Sequence, residues 1–165
     1  MTAAKMSRSA ILLALLILTT SLFTACGEDP VIGPVNDSAS IALMRYEAQG
    51  DGIEGVVYHQ INNFNAFIGG AKSPVLVVFY ASSSVDNTMI IPRLEQMADD
   101  YRGQLEIVWI DAEAQTDLSE LFNVETLPHF TIVIEATPKR SLIGYGAEGA
   151  ADLDDLIKPY VSLNN

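Results

Sequence analysis

Val75-Leu76-Val77-Val78-Phe79-Tyr80 is an unbroken β-branched and aromatic run. Such a run, with no polar position to turn toward water, predicts a central strand buried on both faces. It ends in small polar residues, and Ser82, Ser83 and Ser84 offer hydroxyls that cap a helix start, with Asp86 adding negative charge to the first turn. The helix that follows places Ile90, Leu94, Met97, Ala98 and Tyr101 on one stripe and turns Glu95, Asp99 and Arg102 outward. Pro92 predicts a kink inside it and Gly103 a stop.

Similar patterns fill the rest of the globular part. Gly55 to Ile61 reads as an edge strand, and Asn62 or Asn63 caps a short helix carrying Phe64, Phe67 and Ile68, ended by Gly69-Gly70. Leu105 to Ile110 is a third strand. Asp117 to Phe122 is a short helix capped by Thr116 or Asp117, with Asn123 as its left-handed stop. Phe130 to Ile134 and Arg140 to Ile143 read as a hairpin around Thr137-Pro138, and Ala150 to Val161 as a closing amphipathic helix. Residues 27–52 carry prolines and glycines without strand periodicity and read as a tether, in which Ser40 to Gln49 forms at most a short helix. A flexible tether of about 25 residues reaches roughly 25–30 Å.

The N-terminus changes what the composition means. Lys5 and Arg8 precede an uncharged apolar run from Ala10 to Leu18, and small residues end at Ala25 before Cys26, which has the form of a secretory signal peptide. The run is shorter than the roughly 20 residues that span a bilayer. Leu22-Phe23-Thr24-Ala25-Cys26 resembles a bacterial lipobox, with Leu22 one place further out than is usual; a plain signal peptide and an uncleaved anchor are the alternatives. Cleavage after Ala25 leaves 7 Lys+Arg against 21 Asp+Glu, a net charge of −14. Such a surface repels phosphate backbones and anionic headgroups, so no nucleic-acid partner is expected. Cys26 is the sole cysteine, so a chain lipidated there holds no thiol and no disulfide. The acidic pair Glu28-Asp29 resembles signals that send lipoproteins to the cell surface, with plain solvation of a linker as the alternative; together with the lipobox it implies a bacterial envelope, at an outer membrane or cell surface before an inner membrane.

The ordered features from Ile53 to Val161 resemble the thioredoxin family. Phe79-Tyr80-Ala81 matches its strand and aromatic-Ala step, Met89-Ile90-Ile91-Pro92 its kinked helix, and Thr126-Leu127-Pro128 its cis-proline approach to a strand. The resemblance implies an α/β thioredoxin-like fold, a central mixed sheet of four to five strands flanked by helices on both faces. It divides the chain into a signal peptide (1–25), a lipidated N-terminus and tether (26–52) and the domain (53–165). The two cysteines of the family motif fall at Ser84 and Asn87, with Val85 and Asp86 between them, and the family's buried proton-relay aspartate falls at Val78.

Thiol–disulfide chemistry needs a thiolate at a helix start and a second thiol to resolve the mixed disulfide. Neither is present, so redox catalysis is not expected. Ser84 as a new nucleophile needs a base, and His129 is the candidate, but no G-x-S-x-G elbow accompanies it. His59, His129, Asp86, Asp111 and Glu113 lack metal-ligand spacing, and Asp152, Asp154 and Asp155 lack a calcium loop's glycine and closing glutamate, so no cofactor is expected. Recognition survives the loss of sulfur. The family's backbone beside the cis-proline binds an extended chain, and Tyr80, Val85, Leu127, Pro128 and Tyr145, the last in a Gly144-Tyr145-Gly146 loop, are candidates to line a shallow apolar groove or else to finish the core. The resulting expectation is an envelope lipoprotein held in the membrane through Cys26, with a redox-inactive domain that binds a protein or peptide. A thioredoxin-type redox role, a non-thiol enzyme in the same cleft and a purely structural subunit are its rivals.

Overall fold

The computed structural model describes residues 30–48 and 52–162. In chain order these form β1 (Ile32–Val35), β2 (Ile41–Ala48), β3 (Glu54–Ile61), α1 (Phe64–Gly70), β4 (Val75–Tyr80), α2 (Asn87–Asp100), β5 (Glu106–Asp111), α3 (Thr116–Leu121), β6 (His129–Ile134), β7 (Thr137–Ile143) and α4 (Gly149–Ile157). The seven strands make one sheet in the order β1-β3-β2-β5-β4-β6-β7. Parallel pairing joins β4 to β5, and the other five pairings are antiparallel.

β4 lies inside this sheet, which is why it reads as a continuous apolar run. Its Leu76 and Val78 enter a cluster with Ile90, Leu94 and Met97 of α2 and Leu153, Leu156 and Ile157 of α4. Val75, Val77 and Phe79 enter a second cluster on the opposite face with Phe64, Phe67 and Ile68 of α1. Each fully buried Leu or Phe contributes about 1.5–3 kcal/mol relative to exposure, so the two clusters supply the main force for folding. The α2 stripe is buried as its spacing predicts, Tyr101 included. Arg93 of α2 forms an ion pair with Asp154 of α4, tying the two helices on that face together.

The segment expected to be a tether is part of the sheet. Residues 32–35 and 41–48 form β1 and β2, so the folded domain is under way by residue 32 and not by residue 53. β2 gives no alternating signal because it is an interior strand, and Ala42, Leu43 and Met44 are buried in succession. The polar half of β2 disguises it further. Arg45 pairs with Glu106 of β5 at 3.0 Å, Glu47 with His59 of β3 at 2.8 Å, and the Tyr46 ring lies 4.3 Å beneath the Arg102 guanidinium. These charges look like linker residues in sequence and are cross-strand partners in space. β3 is accordingly not an edge, since β1 covers one side and β2 the other. The edge falls to β1, four residues long with Pro34 and a register irregularity, features that block further strand pairing.

Three local expectations are also revised. The β6–β7 turn is Glu135-Ala136, both left-handed (φ 50° and 57°), while Thr137 and Pro138 already belong to β7. Pro138 is tolerated because β7 is an edge strand and its register shifts there. No serine caps α2: Asp86 is the residue before it and gives no side-chain cap, and Ser84 bonds within the turn instead. α4 ends at Ile157, short of Val161. Other signals give the expected structure, with Asn63 Oδ1 accepting from the Ala66 N–H at 3.0 Å to cap α1 and Asn123 left-handed at φ 53° after α3.

Candidate functional site

β4 delivers the chain to the site at Tyr80, whose ring stacks on Trp109 of β5 with centroids 3.9 Å apart. The turn that follows is closed by its own polar groups. The Ser84 N–H donates to the Ala81 carbonyl at 3.0 Å, the Asp86 N–H donates to Ser84 Oγ at 3.2 Å, and Asn87 Nδ2 donates back to the Ala81 carbonyl at 2.9 Å. Thr88 Oγ1 donates to the Val85 carbonyl at 2.8 Å. The side chains at 84 and 87 are thus structural parts of the turn. Between and after them, Val85 is 81% exposed and Met89 56% exposed.

The Leu127–Pro128 peptide bond is cis and Pro128 is buried. The β4–β6 register pairs Phe79 with His129, which brings Pro128 alongside the exit of β4 at Tyr80. The Gly144 N–H donates to the Pro128 carbonyl at 2.8 Å, fastening the end of β7 to the same place. Val78, fully buried, pairs with Trp109 and Phe130 and offers no proton-carrying group beneath the turn.

The candidate groove residues divide between the two sides of the sheet. Tyr80 and Tyr145 pack against the α2–α4 cluster and Leu127 against the α1 cluster. Tyr145 is a packing residue: its ring lies 6.2 Å from that of Phe130, and a Cβ added to Gly149 would meet it at 2.8 Å. Its burial pushes the phenol pKa up. Val85 therefore remains the exposed member of the set, joined by Met89, which sequence reading used only to align the helix. The available signal was that Met89 falls off the buried stripe of α2.

His129 is 4% exposed, and its Nε2 lies 3.1 Å from Thr131 Oγ1, itself 2.9 Å from Ser141 Oγ. Its Nδ1 is buried with no hydrogen-bond partner among the described residues, and burial holds the imidazole below the ordinary histidine pKa. Among the described residues this ring's one hydrogen bond goes to Thr131 and none to Ser84, so the two do not form a serine–histidine pair. Among the described residues no three His, Cys, Asp or Glu side chains form a metal-binding group. His59 is engaged by Glu47, while Asp111 accepts from the Glu113 and Ala114 N–H groups in a local turn. Cys26 and the signal-peptide reading lie outside the described residues. No described helix is long and apolar enough to cross a membrane.

A helix-flanked mixed sheet, an aromatic-Ala turn into a long helix and a cis-proline beside it define the class, and comparison agrees. The sequence profile of the thioredoxin family matches residues 55–159, and the chain belongs to that family. A thioredoxin-like protein of Synechocystis sp. is 29% identical over 105 residues, covering 64% of this chain and 98% of that one. Thioredoxin C-2 of Corynebacterium nephridii is 33% identical over 66 residues, 40% of this chain and 61% of the relative. Mitochondrial thioredoxin 3 of Saccharomyces cerevisiae superposes with a TM-score of 0.53 at 21% identity, covering 58% of this chain and 86% of that one.

Proposed function

We propose that this chain is a lipid-anchored member of the thioredoxin family that binds a protein or peptide partner and performs no thiol–disulfide exchange. One observation carries the reading. The positions that the family resemblance assigns to the two thiols hold Ser84 and Asn87, whose side chains are committed to closing the turn, while Val85 and Met89 stand exposed around them. The lipobox-like Cys26 supplies the anchor, and a bacterial envelope is the corresponding location. Kinship with thioredoxins favours a redox role as the second reading, and the absence of any cysteine beyond Cys26 opposes it.

An insulin-reduction assay on the full chain with Cys26 blocked separates the two. The expected rate is that of the reductant alone, and turnover above that background overturns the proposal.

A further inference from the structure

The sheet begins almost at the anchor. Only Gly27, Glu28 and Asp29 separate Cys26 from Pro30, and four residues of extended chain reach about 14 Å at most. A domain held by lipid at Cys26 therefore cannot stand clear of the bilayer, and the surface around Pro30 is what the bilayer meets.

That surface has a distinct chemistry. The Pro30 carbonyl accepts from Asn62 Nδ2 at 2.8 Å, Asn62 Oδ1 accepts from Gln60 Nε2 at 2.9 Å, and Gln60 Oε1 accepts from Asn36 Nδ2 at 2.9 Å. This chain of amides runs along a polar cleft of about 570 Å³ that also includes Ser38, Ser40 and Gln115, closed by the 2.8 Å bond from Gln115 Nε2 to Ser40 Oγ. No charged side chain lines it. Each primary amide has two N–H donors and an oxygen with two lone pairs, so every link retains a donor for an outside acceptor. Two of the segments that form the cleft are nearly neutral: residues 30–44 and 61–73 together hold one acid, Asp37, and one base, Lys72, in a mature chain of net charge −14, while Asp111, Glu113 and Asp117 flank Gln115 in the third. Charges act over about 8 Å at physiological ionic strength, so a strongly acidic molecule approaches a membrane at least cost through those two segments.

We propose that this cleft is the membrane-facing surface of the domain, with its amides donating to phosphate oxygens of zwitterionic headgroups. The proposal rests on the Cys26 anchor and adds an orientation to it. Four inter-strand spacings, about 19 Å, separate β1 from β4, so the 84–87 turn lies to one side of the contact and stays open to a partner.

The sole thiol makes the test direct. The chain beginning at Cys26 is coupled to maleimide-bearing phosphatidylcholine nanodiscs containing nitroxide-headgroup lipid, and amide NMR intensities are compared with those after nitroxide reduction. Most of the intensity should be lost at residues 36–40, 60–63 and 115, and little at 135–141. The double variant Gln60→Glu, Gln115→Glu, which removes the donors to Asn62 and Ser40 and adds two charges, should reduce that contrast while the melt stays cooperative, and an undiminished contrast overturns the amide–headgroup contact. Uniform broadening over all faces, or broadening centred elsewhere, overturns the orientation. Mass spectrometry of the native protein extracted from membranes examines the anchor separately. An unmodified Cys26 there refutes the anchoring reading, and the biological role of this face with it, even if the coupled chain orients.

Discussion

At residue scale, the two positions that the family resemblance assigns to thiols hold side chains that close the turn. The Asn87 amide and Ser84 hydroxyl both bond inside it, so the turn keeps its geometry without sulfur. Ser84→Cys with Asn87→Cys should form a disulfide, detected as a 2 Da mass loss, because the family resemblance places the two positions one helical turn apart at a helix start. The product should remain a poor insulin reductase, since the buried Val78 cannot relay a proton. Reduction at rates comparable to a thioredoxin would show that the turn alone suffices.

His129 gives a pH signature at the same scale. Its folded pKa is lowered by burial, so the unfolded chain binds the extra proton first. The stability from neutral His129 is therefore complete above the unfolded value of about 6.5 and is lost as pH falls from there toward the folded pKa. Thermal melts of the parent should weaken across that window more steeply than those of His129→Leu, and parallel curves would contradict the assignment. The local order of turn, helix and Pro128 was legible because each signal lies within a few residues. Tyr145 was not, because Phe130 of β6, whose ring it packs near, is brought to it by tertiary packing.

At element scale, the helices and β4 to β6 were legible from period and run length, while β1 and β2 were hidden. An interior strand whose second half carries Arg45 and Glu47 shows neither strand alternation nor a long apolar run, and its logic appears only beside Glu106 and His59. β2 sits between β3 and β5, outside the 55–159 family match, so the matched segment alone would leave a gap in the sheet. A chain starting at residue 53 should fail to give a cooperative melt by circular dichroism. Leu43→Ala alone should cost about 2–5 kcal/mol, against a typical total of roughly 5–15. A cooperative melt of the truncated chain near the parent temperature would show β2 to be dispensable.

The start of α4 supplies a second element-scale check. Alanine is the better helix former by about 1 kcal/mol, yet at Gly149 its Cβ would meet the base of the Tyr145 ring. Gly149→Ala should therefore destabilise by about 1–3 kcal/mol through overpacking. A rise in melting temperature would show that Tyr145 is free to move.

At the scale of the whole molecule, the chain combines a thioredoxin-family domain, two strands that precede the family match and a strongly acidic composition with an exposed apolar pair at the turn. Recognition, unlike redox chemistry, asks only that such a surface be held rigidly, and β4 with α2 provides that. We propose that the turn is a binding surface. It is tested by placing a photo-crosslinking amino acid at Val85 in the anchored full chain and irradiating intact envelopes. Discrete adducts are predicted that vanish when Met89→Asp is added, a change near the N-terminus of α2 where a carboxylate favours the helix dipole and should leave the fold intact. An adduct pattern unaffected by Met89→Asp, or identical to that from the same probe at the exposed Lys139, would contradict the account.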